Sequence, residues 1–164
     1  METQRISRSL LAAALALGIY AAPLALAEDT GSGMTTVIPG DKKWEKAGKT
    51  MPYGMRVMYV YGDPTKPGPY IFRIRVPTAY RIPPHTYPDD RVVTILKGIW
   101  WTGEGDRYDP FKMDEYGVGT FYVTKAGTAH FDFARTEVIL QVMGFGPIEN
   151  PVQYLNPDDD PRGN

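Results

Sequence analysis

The chain has 164 residues, with 18 basic and 19 acidic side chains and no cysteine. This length favours one domain that can bury an adequate core, and the near-neutral charge excludes a typical nucleic-acid-binding protein. Without cysteine, disulfides, thiolate metal ligands and thiol nucleophiles are also excluded.

The first 27 residues have the pattern of a secretory signal peptide. Two arginines precede the short apolar run Leu10–Ala22, and Ala25 and Ala27 are small residues at the positions that a signal peptidase reads. We therefore predict cleavage after Ala27 and a periplasmic or secreted protein. A membrane anchor is the alternative reading, but the run is too short to span a bilayer and Pro23 interrupts it. We expect no stable membrane insertion after cleavage.

Residues 28–54 are polar and lack clear periodicity, so they are predicted to form an N-terminal arm. From residue 55 to residue 150, short apolar segments alternate with turns rich in glycine and proline, which is typical of β-strands. Phe72, Ile74 and Val76 alternate with arginines and predict a half-buried strand. The predicted strands are, in chain order, 57–61, 70–76, 91–96, 99–102, 119–124, 130–134 and 137–143.

The segment Asp109–Tyr116 is predicted to be a helical turn, and residues 151–164 are predicted to be a loose acidic tail. The 15 prolines and 17 glycines disfavour long helices. The whole pattern predicts an all-β fold, an antiparallel β-barrel or a double-sheet jelly roll. No serine nucleophile motif or phosphate-binding glycine loop is visible in the sequence.

The two histidines of the chain lie far apart in sequence, each in or beside a predicted strand. His85 and Tyr87 occur in RIPPHTYPDD and are two residues apart, so on a strand they point to the same face. His130 begins the strand 130–134. Neutral imidazole binds zinc, iron, manganese, copper and nickel. The histidines therefore predict either a divalent-metal site or a hydrogen-bonded pocket without an ion.

The order of these residues resembles the two signatures of the small single-domain cupins, G-x5-H-x-H-x(3,4)-E-x6-G and G-x5-P-x-G-x2-H-x3-N. The residues that match them are His85, Gly98, Gly119, Gly127 and His130. The resemblance covers residues 55–146 and implies a cupin jelly roll, also called a double-stranded β-helix. It further implies a pocket for a small-molecule ligand and a homodimer paired through residues 34–61.

Several signature positions are substituted. In the first signature, Ala79 stands at the opening glycine, Tyr87 at the second histidine and Arg91 at the glutamate. In the second, Lys125 replaces the proline and Ala134 the asparagine. The metal-binding motifs are therefore degenerate.

In metal-binding cupins, the resemblance implies three histidines and one glutamate as ligands. The ligands expected here are His85, His130, Tyr87 and Asp90, with Glu104 or Asp106 as alternatives for the carboxylate. Tyr87 can bind as a phenolate, or it can act as the catalytic acid or base. The divalent ion can be zinc, iron, manganese, copper or nickel.

Two functions stay open at this point. The first is a metal-dependent enzyme, for which the resemblance implies dioxygenase, isomerase or lyase chemistry. The second is a metal-free periplasmic protein that binds a small anion through Arg91, because a guanidinium suits a carboxylate. An arginine repels a nearby ion, so with a metal present we expect Arg91 to point away from the pocket and to pair with Asp89 or Asp90. Trp100 and Trp101 point to opposite faces, so one is expected in the core or the ligand pocket and the other in a subunit contact.

Overall fold

Two antiparallel β-sheets form the described part of the chain. The computed structural model describes residues 33–49, 51, 53–148 and 152–162, and all elements lie in one unit, Thr36–Asn164. The strands are β1 (Glu45–Lys46), β2 (Arg56–Tyr61), β3 (Gly68–Val76), β4 (Tyr80–Thr86), β5 (Arg91–Lys97), β6 (Trp100–Glu104), β7 (Asp114–Tyr116), β8 (Phe121–Thr124), β9 (His130–Ala134), β10 (Val138–Gly146) and β11 (Gln153–Tyr154).

The first sheet has the strand order β1-β2-β3-β10-β5-β8 and the second has the order β11-β4-β9-β6-β7. Both sheets contribute side chains to one buried apolar cluster, with Phe72 and Val138 from the first sheet and Ile82 and Trp100 from the second. This arrangement is a double-sheet jelly roll, and it confirms the predicted all-β fold. No helix in the described ranges is long and apolar enough to cross a membrane.

The register of β3 and β10 explains why the alternating sequence forms a half-buried sheet. Ile74 and Val76 pair with Leu140 and Val138 on the inner face, where all four are buried. Arg75 points outward, and its guanidinium lies 4.6 Å from the centre of the Trp44 ring. The period of two therefore separates core from surface, as the sequence predicted.

Strand β4, which carries His85, was not among the predicted strands. Prolines rarely occur inside strands because they cannot donate to a ladder, and Pro83 and Pro84 precede the histidine. The structure accommodates both prolines at an irregularity in the β4–β9 register between Ile82 and His85. The strand therefore continues through two prolines, residues that usually interrupt a strand.

Two further segments differ from the sequence predictions. Within 109–116, a 3-10 turn occupies only Pro110–Lys112, and residues 114–116 form β7. The tail is part of the fold, since β11 pairs with β4 and Val152 is buried. The predicted signal peptide, residues 1–27, lies outside the described residues, and pairing of two copies through residues 34–61 stays a prediction.

The turn before β4 adopts the backbone conformation of the glycine that the first cupin signature has there. Ala79 has φ of 58° and is the only non-glycine residue with positive φ in the described ranges. Gly98, which closes the same signature, has φ of 85°. The turn geometry is thus retained at Ala79 although the glycine is not.

Candidate metal centre

Adjacent strands of the second sheet bring three metal-ligating side chains together. His85 on β4 is paired directly with His130 on β9, and their ring centres are 4.2 Å apart. Asp132 is two residues beyond His130, so it lies on the same inward face of β9. All three side chains are buried between the sheets.

Hydrogen bonds to the backbone fix the tautomer of both imidazoles. His85 Nδ1 lies 2.8 Å from the Pro83 carbonyl oxygen, and His130 Nδ1 lies 2.9 Å from the Thr128 carbonyl oxygen. A carbonyl oxygen can only accept, so each Nδ1 carries the proton and donates it. Each Nε2 is left with its lone pair directed into the interior, which is the form of histidine that binds metals.

The lone pairs of these histidines converge on the carboxylate of Asp132. Asp132 Oδ2 is 3.8 Å from His85 Nε2 and 4.0 Å from His130 Nε2, and the three ligand atoms all lie within 4.8 Å of one another. Ligands bonded to one ion at about 2.1 Å are roughly 3.0–3.4 Å apart. A contraction of the group by about 1 Å would therefore suit a divalent ion.

The other carboxylate oxygen of Asp132 is buried and has no hydrogen-bond partner among the described residues. Burial raises the pKa of Asp132, although the neighbouring His130 and a hydrogen bond from Thr102 oppose that shift. A buried carboxylate oxygen without a partner is costly, and a cation beside it removes the cost. The donor set of two imidazoles and one carboxylate fits a divalent metal ion.

His85 is held neutral by its surroundings. Burial lowers its pKa to about 3, with further contributions from His130 and Arg91 and an opposing one from the Pro83 carbonyl. Its Nε2 accepts a hydrogen bond of 2.9 Å from the hydroxyl of Tyr87. Burial also raises the pKa of Tyr87, against the effect of Arg91. Tyr87 is therefore a protonated phenol at the edge of the ligand group.

The Arg91 side chain enters the interior, where it is paired with the carboxylate of Asp89. Its Nε donates to Asp89 Oδ1 at 3.1 Å, and its guanidinium lies 3.6 Å from the centre of the Tyr87 ring. Asp89 also accepts a short hydrogen bond from Tyr70. The structure shows the expected pair with Asp89, but it places Arg91 inside, beside His130 and Asp132, and not pointing away from the pocket.

The structure places Asp90, the expected fourth ligand, away from this group. Its side chain is 52% exposed, and it accepts hydrogen bonds from Lys125 Nζ at 2.7 Å and from the Ala126 backbone at 2.8 Å. Glu104 and Asp106 are exposed and do not belong to the ligand group either. The carboxylate of the group comes instead from Asp132.

The two tryptophans face opposite sides of β6, as predicted. Trp100 is buried, and its Nε1 donates to the Tyr122 hydroxyl at 3.0 Å. Trp101 lies on the outer face, where its Nε1 donates to Glu115 at 2.8 Å. Trp100 therefore lines the interior next to the candidate centre, and Trp101 does not.

Three cavities are lined by residues of the centre or by Arg91. An inner cavity of about 30 Å³, lined by Tyr87, Arg91, His130 and Asp132, has room for about one water molecule. A cavity of about 450 Å³ also reaches His130 and is bordered by charged side chains such as Glu104. A third cavity, of about 270 Å³, reaches Arg91.

Asp132 is the candidate ligand that the sequence did not lead us to expect. The period of two that grouped His85 with Tyr87 also groups His130 with Asp132 in HFDF. Applied to the second histidine, this rule identifies the carboxylate without any signature. The carboxylates expected instead, Asp90, Glu104 and Asp106, lie next to the first signature or on the strand that follows it.

The sequence matches no protein-family profile and no curated protein. Solved structures resemble it in fold. The polyketide cyclase RemF from Streptomyces resistomycificus has a TM-score of 0.64 at 18% identity, over 78% of this chain and 89% of that one. An RmlC-like cupin from Shewanella frigidimarina has a TM-score of 0.54 at 12% identity, over 69% of this chain and 90% of the other.

A third similar structure is the DMSP lyase DddQ from Ruegeria pomeroyi, with a TM-score of 0.54 at 14% identity, over 69% of this chain and 60% of that one. Identities this low establish the fold alone. The resemblance first indicated by His85, Gly98, Gly119, Gly127 and His130 is confirmed at that level: the chain has the fold of the small RmlC-like cupins.

Proposed function

We propose that the protein is a divalent-metal-dependent enzyme that acts on a small molecule inside the jelly roll. The observation that carries this proposal is the convergence of His85 Nε2, His130 Nε2 and an Asp132 oxygen in a buried group. Two histidines and one carboxylate leave open positions for water or substrate, as in catalytic zinc and non-haem iron sites. A bound ion would supply Lewis acidity at a substrate oxygen or at a water molecule.

Tyr87 is the residue best placed to move a proton. Its hydroxyl lies 2.9 Å from His85 Nε2, and burial keeps it protonated by raising its pKa. A phenol in this state can donate to a developing negative charge on a substrate bound beside the ligands. This favours a lyase or isomerase reaction, in which a proton is transferred, over dioxygenation.

The metal content of the isolated protein tests the proposal. Protein purified without chelator is expected to carry stoichiometric divalent metal, because three buried ligand atoms lie within 4.8 Å of one another. His130→Ala should abolish metal uptake while circular dichroism shows an intact β fold. A folded wild-type protein that rejects zinc, iron and manganese would contradict the proposal and leave the metal-free binding protein as the better reading.

Replacing Tyr87 by phenylalanine separates metal binding from proton transfer. The Tyr87 hydroxyl now uses the His85 lone pair that an ion needs, and one hydrogen bond is worth about 1 kcal/mol net. Tyr87→Phe should therefore tighten metal binding by roughly fivefold, as measured by titration of metal-free protein. Weaker binding in this variant would instead place the phenolate oxygen among the ligands.

A further inference from the structure

An apolar cavity is lined by Arg91 but by neither histidine. It has a volume of about 270 Å³ and lies beside the inner faces of β2 and β3. The N-terminal arm and the segment after β10 border it. The apolar residues around it include Ala47, Met51, Val57, Phe72, Ile74 and Ile148. We call this space the arm cavity.

The arm cavity has one charged group, the guanidinium of Arg91. Arg91 is only 2% exposed and is held by Asp89 at 3.1 Å and by the face of Tyr87 at 3.6 Å. A guanidinium fixed in this way is preorganised, so little entropy is lost when a ligand binds to it. Charge interactions are also stronger in such a desolvated site than at the surface.

The same arginine connects the arm cavity with the candidate metal centre. Arg91 lines the inner cavity together with Tyr87, His130 and Asp132. A carboxylate bound at Arg91 would therefore lie next to the Tyr87 ring, whose hydroxyl contacts His85. The carboxylate of such an acid would face His85, His130 and Asp132. Its apolar tail would lie among the apolar side chains of the arm cavity.

We propose that the arm cavity binds the apolar part of a monocarboxylate substrate whose carboxylate is held by Arg91. At a packing density of about 0.75, the cavity accommodates roughly ten non-hydrogen atoms. The substrate class is thus a short-chain aliphatic or small aromatic acid. This assignment rests on the proposed metal-dependent function, for which it names the substrate.

Calorimetric titration with hexanoate, acetate, 1-hexanol and hexylamine tests this assignment on metal-free and metal-loaded protein. Each buried methylene contributes roughly fourfold in affinity, so hexanoate should bind on the order of 100-fold more tightly than acetate. It should also bind at least about tenfold more tightly than 1-hexanol, because hydrogen bonds to a charged group are stronger than those between neutral groups. Hexylamine should not bind, since its ammonium would meet the guanidinium.

Two alanine-to-leucine variants provide a matched pair. Ala47→Leu adds a side chain into the arm cavity and should weaken hexanoate binding at least about tenfold by removing volume, with acetate binding and metal uptake unchanged. Ala126→Leu makes the same change on an exposed turn. It should leave hexanoate binding, acetate binding and metal uptake unchanged. Arg91→Lys keeps the charge but loses the planar fork, and it should weaken hexanoate about tenfold.

Equal affinities for hexanoate and 1-hexanol would overturn the assignment, as would unchanged hexanoate binding in Ala47→Leu. Because metal uptake is measured separately, the two proposals can fail independently. Metal uptake without hexanoate binding overturns only the substrate class. Hexanoate binding without metal uptake retains the carboxylate site and overturns the enzyme proposal.

Discussion

Asp132→Asn is expected to lower the affinity for divalent metal by at least about 100-fold. Mutating a residue that only hydrogen-bonds to a metal ligand already lowers the metal affinity of typical sites roughly 10–100-fold. Asp132 supplies the only carboxylate of the ligand group, so its effect should be at least as large. Asparagine has nearly the same shape but lacks the charge that balances a cation. Titration of metal-free protein with zinc or manganese measures the change.

The metal-free protein should respond to this substitution in the opposite direction. The pKa of Asp132 is raised by burial in the folded state, so its ionised form weakens the metal-free fold at pH values above the unfolded pKa of about 3.9. Asp132→Asn removes that charge. The free energy of unfolding at pH 7, measured by urea denaturation without metal, should therefore be unchanged or higher.

Asp90→Asn is the matched control, because Asp90 is an exposed carboxylate paired with Lys125. It should leave the metal affinity at the wild-type value. If Asp90→Asn lost metal and Asp132→Asn retained it, the site described here would be misplaced.

Gly98→Ala is expected to lower the free energy of unfolding by at least about 3 kcal/mol, a larger loss than for Gly127→Ala. A positive φ costs a non-glycine residue about 1–2 kcal/mol, and Gly98 has φ of 85°. A Cβ at this position would also lie 2.3 Å from the backbone oxygen of Glu137 and 2.7 Å from Thr136 Oγ1. The backbone of the turn between β9 and β10 would have to shift, and thermal unfolding should show a drop of roughly 10 °C or more.

Gly127→Ala measures the cost of backbone strain without the steric clash that Gly98→Ala adds. Gly127 has a similar φ of 74°, but no atom lies within 4 Å of a Cβ built there. Only the conformational cost applies, so this variant should lose about 1–2 kcal/mol. Equal losses for Gly98→Ala and Gly127→Ala would show that the contact with Thr136 and Glu137 does not constrain Gly98.

The sequence predicts most of the sheet because alternating burial leaves a direct pattern. Strand β3 shows this best, since Phe72, Ile74 and Val76 face the core while Arg73 and Arg75 face outward. Strand β4 has no such pattern, because Pro83 and Pro84 interrupt it and its place depends on long-range pairing with β9 and β11. Local sequence does not encode that pairing.

In the candidate site, the two histidines were predictable from the sequence and the carboxylate was not. The two histidines were identified from their spacing, and their meeting across β4 and β9 agrees with the resemblance. The choice between Asp90 and Asp132 depends on which carboxylate faces inward. Asp90 sits in a turn, where direction does not follow the strand period, and Lys125 from the β8–β9 connection holds it outside. Asp132 follows the period of β9 and points inward.

The most direct test of the central claim is a crystal structure of manganese-loaded protein with an anomalous difference map. The account predicts one strong peak within bonding distance of His85 Nε2, His130 Nε2 and a carboxylate oxygen of Asp132, with the Tyr87 hydroxyl moved off the His85 nitrogen. A peak at other residues, or a fully folded protein with no peak between these three side chains, would contradict the account.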